Sequence, residues 1–146
     1  MNRAPLELKK YFFPFVQVSA DAEYEVTGKE IHPHFEVRTT VEHDEENGIY
    51  QVALEITAEP EDENSKIPYS IHLITVGLFT VDDNFPDREK LLKITGASIL
   101  YSAAREFIIT VTSRGPWPPV TIPTISFLPQ EKVKSRPTAP GKKKKT

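Results

Sequence analysis

The chain has no cysteine. That removes disulfide staples, thiolate nucleophiles and the sulfur ligands of structural zinc, and it fits a reducing compartment. The glycine-rich patterns G-x-G-x-x-G and the P-loop are missing, and so is G-x-S-x-G. Dinucleotide, nucleotide and α/β-hydrolase chemistry therefore have no foothold in the sequence. No apolar run is long enough to cross a bilayer. The longest candidate, Tyr11 to Val18, lacks the basic leader and small-residue cleavage site of a signal peptide. The expectation is a soluble cytoplasmic protein, with no integral membrane segment and no cofactor. No acid–base or nucleophile set stands out, so an enzyme is not expected.

A length of 146 residues, 38% of them hydrophobic, suits one domain with a core. Charge is divided along the chain. Residues 130–146 carry seven Lys or Arg and one Glu, a net of +6, which leaves −9 on residues 1–129 out of −3 overall. The final stretch ends K-K-K-K-T and has almost nothing to bury. It is expected to be a disordered basic tail beyond a domain spanning 1–129. A basic tail on an acidic body is poor support for nucleic-acid binding.

The first half reads as strands. Leu6 to Val18 is one, bent at Pro14, and its Phe12, Phe13 and Phe15 break alternation. After a polar connection with a turn at Gly28, residues 31–42 alternate cleanly, with Phe35, Val37, Thr39 and Val41 on one face. The run H-D-E-E-N-G carries the Asn-Gly turn signal, and residues 49–58 answer with the opposite alternation, which makes a hairpin. An acidic loop over 59–66 precedes a strand over 67–81 that is apolar on both faces. The acidic stretches 43–46 and 59–63 read either as solvated turns or as a docking surface for a basic partner. His32 and His34 share a strand face, but no Cys and no second ligand pair joins them, so no metal site is expected.

The second half is organised around residues 97–127. Residues 87–94 suit a short helix with Leu91, Leu92 and Ile94 inward. Residues 97–114 suit a longer one, with Gly115 as a left-handed cap. That helix is apolar nearly all round, which asks for cover on more than one side. Leu100, Ala104, Phe107, Ile108 and Val111 are accordingly expected at an interface between copies. Five of the chain's 13 prolines follow, at 116, 118, 119, 123 and 129. They exclude helix and central strand alike. An extended ribbon carrying Trp117, Val120, Ile122, Ile125 and Phe127 remains. It either packs on the sheet or walls a groove for extended apolar peptide. The fold class expected is α+β, a four-stranded antiparallel sheet followed by a long helix.

The run A-R-E-F-I-I-T-V-T-S-R-G-P-W-P-P-V-T-I-P-T-I-S-F resembles the SecB family of export chaperones. It holds Ala104-Arg105-Glu106, Ser113-Arg114-Gly115, Trp117-Pro118-Pro119, Ile122-Pro123 and Phe127 in that family's order, and Gly77-Leu78-Phe79 is similar to a second family motif. The resemblance implies a SecB-like fold assembled as a dimer of dimers. It implies an ATP-independent holdase that keeps precursor proteins unfolded for the translocase ATPase. Trp117, Pro119, Ile122 and Phe127 would then line the client groove, and Phe12, Phe13, Phe15 and Phe35 are expected beside them. Two departures stand out. The family's second helix gives way here to the basic tail, and its outward acidic docking positions meet His72 and a first strand without acids over 8–20. A SecB-like chaperone protecting an antitoxin, or a scaffold on the same fold, is the alternative.

Overall fold

A computed structural model describes residues 2–26 and 33–129. The basic tail, the turn at Gly28 and the residues 31–32 assigned above to a strand lie outside the described residues. Four strands, β1 (Leu6–Ala20), β2 (His34–Asp44), β3 (Ile49–Glu59) and β4 (Tyr69–Val81), form one antiparallel sheet in the order β1-β4-β3-β2. Helix follows the sheet, as the α+β reading expects. It is a single run in three parts: α1 (Arg88–Leu91), a π segment (Leu92–Gly96) and α2 (Ala97–Thr112). The break expected between two helices is absent. The wider π turn continues the helix through Thr95 and Gly96. Along the run Leu92, Gly96, Ala97, Leu100, Tyr101, Ala104, Ile108 and Thr112 are buried.

The alternation read in β2 and β3 holds. Tyr50, Val52, Leu54, Ile56 and Ala58 are buried on the helix side of β3, and each pairs across β2 or β4 with a residue on that same face. The hairpin turns at Gly48, whose φ of 66° is left-handed and suits glycine. The irregular phenylalanines of β1 have a local cause. Register shifts fall between Leu8 and Lys10 and between Phe12 and Phe15. Each inserts a residue and flips the pattern. The second absorbs Pro14, which has no N–H to give a ladder. Phe12 and Phe15 consequently pair with Val76 and Ile74 on the outward face, while Phe13 turns inward and stacks on Phe107 at 4.5 Å.

The helix crosses the sheet on a diagonal. Its π segment touches β2 and β3, and α2 touches β3, β4 and β1. Leu100 sits over Gly77, where an added Cβ would fall 2.7 Å from a Leu100 methyl and 2.8 Å from the Phe79 ring. This tight fit explains a glycine inside a central strand. The diagonal leaves one corner of the sheet uncovered, where β2 and β4 begin and β3 ends. The chain beyond α2 returns to that corner.

Candidate functional site

Residues 113–129 contain no strand and no helix beyond the last turn. Prolines remove donors from this ribbon, and side chains of the body meet the N–H groups of Trp117 and Val120 and the carbonyls of Trp117 and Pro123. Tyr69, 4% exposed on β4, is the hub. Its hydroxyl accepts from the Trp117 backbone N–H at 3.1 Å and faces the Thr112 and Trp117 carbonyls at 3.2 Å each, with one proton to donate between them. Thr112, fully buried, donates back to the Ile108 carbonyl at 2.7 Å and accepts from the Val120 N–H at 2.9 Å. The Tyr101 hydroxyl donates to the Pro123 carbonyl. Burial pushes Tyr101 up to about 12, with Arg105 opposing the shift, so it remains a donor at neutral pH. The Trp117 indole N–H donates to the Asp21 carbonyl at 3.0 Å, and its ring meets Tyr24 edge-on at 5.2 Å.

Gly115 does not cap the helix in the left-handed conformation expected of it. Among the described residues only Gly48 and Asp87 have positive φ, and the C-cap is Ser113. Gly115 is needed for a different reason. A Cβ there would land on the Tyr69 hydroxyl, so the missing side chain is what lets the ribbon dock.

Docked in this way, the ribbon and the 24–26 segment wall a groove of about 760 Å³ over the uncovered corner of the sheet. Phe35, Ala58, Tyr69 and Ile71 lie along its sheet side, and Pro118 to Pro123 form one wall. The lining is apolar apart from Glu61, Thr121 and the tyrosines. The acidic loop at its mouth is an ordered turn. Asp62 accepts from the Ser65 hydroxyl and from the Asn64 and Ser65 N–H groups, which hold its carboxyl below the usual range. Among the described residues no group of three or more His, Cys, Asp or Glu is placed to hold a metal. His34 lies 3.8 Å from Glu36, and His32 lies outside the described residues.

Of the eight groove residues expected from the sequence, the structure brings three together: Phe35, Pro119 and Ile122. Trp117 stands behind the groove as a strut. Phe127 lies beyond it, edge-on to Tyr101 at 5.8 Å. Phe12 and Phe15 point to the outward face, 40% and 41% exposed, and Phe13 is spent on Phe107. The interface residues divide as well. Leu100, Ala104 and Ile108 are fully buried within the single chain, so they have no surface to offer a second copy. The helix is apolar on several sides because sheet, β1 and ribbon cover those sides. Phe107 and Val111 remain half-buried. Tyr69, Thr112, Tyr24 and Asp21 were not picked out in the sequence. Thr112, a hydroxyl at a buried position of an apolar helix, was the one visible signal.

Residues 5–130 match the model of the family described as preprotein translocase subunit SecB. The fold is similar to that of the Mycobacterium tuberculosis Rv1957 SecB-like chaperone, solved in complex with a ChAD peptide from the Rv1956 HigA1 antitoxin. The TM-score is 0.67 at 16% identity, covering 84% of this chain and 91% of that one. A protein of unknown function from Streptococcus agalactiae matches with a TM-score of 0.47 at 16% identity, covering 82% of this chain and 97% of that one. No curated protein matches the sequence. Among the described residues no helix is long and apolar enough to cross a membrane. With the family model spanning nearly the whole sheet, helix and ribbon, the chain belongs to the SecB family.

Proposed function

We propose that the chain is an ATP-independent holdase chaperone that keeps nonnative polypeptides unfolded by seating their apolar segments in the groove beside the ribbon. The observation that carries this reading is the groove itself: about 760 Å³, apolar, open to solvent and framed by rigid proline-rich chain. Apolar area contributes about 25 cal/mol per Å² buried, and it does so for any sequence that supplies it. The ribbon's prolines have no N–H to offer the groove, and Thr112 occupies that of Val120. Such a surface selects apolar bulk over a particular sequence.

The family favours preproteins held for export as the clients, with handover to the translocase ATPase. A second reading, protection of an antitoxin, is favoured by the likeness to Rv1957, a protein solved with an antitoxin peptide. For assembly we propose a homotetramer, a dimer of dimers. Its support is β1, an edge strand of the sheet with exposed apolar residues on both faces. Tyr11 and Val16 are on the helix side, Phe12 and Phe15 on the outward side, each at least 40% exposed.

The test is aggregation of a chemically unfolded client diluted into buffer without nucleotide. A stoichiometric amount of folded protein is expected to suppress light scattering. Unchanged scattering would refute the holdase reading. Pull-down of the translocase ATPase, against co-purification with an antitoxin encoded nearby, separates the two client classes.

A further inference from the structure

The groove has two walls that are far apart in sequence, and one side chain joins them. Trp117 does not line the groove. It stands where the walls meet. Its indole N–H donates to the Asp21 carbonyl at 3.0 Å, and its backbone N–H donates to the Tyr69 hydroxyl at 3.1 Å. Asp21 is itself tied down on two other sides. Its N–H donates to the Pro68 carbonyl at 3.0 Å, and its carbonyl also accepts from the Tyr24 N–H at 3.1 Å. Tyr24, whose ring meets the Trp117 ring edge-on, is a groove residue, and so are Pro68, Tyr69 and Pro118. One bicyclic side chain with no flexible stem thus fixes the 21–24 turn, the start of β4 and the ribbon relative to one another.

We propose that Trp117 is a positioning residue that sets the width of the groove, and so the size of client side chain it accepts. This rests on the holdase reading for what the groove binds, though the strut itself is visible without a client. The physical reason is pre-organisation. A groove whose walls are already held apart at the right distance loses less freedom on binding and gives more affinity for the same contacts. A side chain that only packed would leave the Asp21 carbonyl to the Tyr24 N–H alone, and the 21–26 wall would keep its bond to Pro68 but lose its tie to the ribbon. The ribbon would stay docked, because the Val120 N–H to Thr112 bond at 2.9 Å and the Tyr101 hydroxyl bond to Pro123 hold it independently of the indole.

The test is Trp117→Phe, which keeps an aromatic edge for Tyr24 and deletes the donor. It is compared with the wild type after matching circular dichroism and mass. Two readouts are taken. The first, without client, is hydrogen–deuterium exchange. The variant is expected to exchange faster over 21–26 with 100–112 unchanged, and equal exchange over 21–26 would overturn the strut. The second uses two extended peptides that differ only in one central residue, tryptophan against leucine. The wild type is expected to discriminate between them, and the variant to lose about fivefold in affinity for the preferred one, roughly the value of one hydrogen bond. Discrimination would flatten, an outcome that general destabilisation would not produce. Unaltered discrimination would overturn the role in specificity. A wild type that binds neither peptide would overturn the holdase reading, and the strut would then stand or fall on exchange alone.

Discussion

The Tyr69 hydroxyl accepts the backbone N–H of Trp117, 48 residues away, at 3.1 Å. Around that one oxygen the sheet, the end of α2 and the ribbon are locked together. Tyr69→Phe is expected to leave the Trp117 N–H unpaired in a partly buried place and to cost about 1–3 kcal/mol. Urea denaturation should show a lower midpoint with an unchanged slope, since the fold's extent is the same.

Gly115→Ala tests the same contact from the other side. The new Cβ would collide with the Tyr69 hydroxyl and crowd its ring. A destabilisation of about 1–3 kcal/mol is expected, the usual cost of forcing bulk into a packed site. Combined with Tyr69→Phe, the loss should be less than additive, because both changes break one contact. Strict additivity by denaturant titration would show that the glycine is needed for something else.

Thr75 offers a prediction of opposite sign. It is fully buried, and its hydroxyl has no hydrogen-bond partner among the described residues. Thr75→Val removes an unsatisfied polar group and keeps the branched shape. It should stabilise the chain by about 1 kcal/mol, read as a higher urea midpoint.

Much of this was legible in the sequence, and the pattern of success has physical causes. The hairpin was legible because one wet and one dry face enforce alternation and Asn-Gly marks the turn. The proline ribbon was legible because proline excludes regular structure wherever it falls. The facing of Phe12, Phe13 and Phe15 was not legible, because two register shifts change the parity of β1 and nothing local announces the first. The fate of Leu100, Ala104 and Ile108 was misjudged because an apolar face looks the same whether its own sheet or a second copy covers it. The continuous helix was missed because Thr95 and Gly96 read as a break, where the π turn instead carries the chain through. The resemblance implies Trp117 in the groove, and no pattern in the sequence tells a side chain that lines a wall from one whose indole donates to the Asp21 carbonyl.

Alkaline pH should loosen the ribbon. Tyr101 is pushed from 10.0 up to about 12, chiefly by burial. A raised pKa in the folded state means stability fully present below the unfolded value of 10 and lost as pH rises towards 12. Stability measured by urea should therefore decline over that window. Tyr101→Phe, which cannot ionise, should flatten that part of the decline while starting from a lower value for want of the bond to Pro123.

The central claim is that apolar segments of nonnative proteins bind in the groove beneath the ribbon. It is tested most directly by titrating a fluorescently labelled unfolded client into the wild type and into Pro119→Asp. Pro119 lines the groove and is exposed, so the substitution spares the core. It places a carboxylate where a client's apolar side chain would sit, and an unpaired charge there is costly to desolvate. A fall in affinity of at least about tenfold, with an unchanged urea midpoint, is the result predicted. Equal affinity for both proteins would place client binding elsewhere and contradict it.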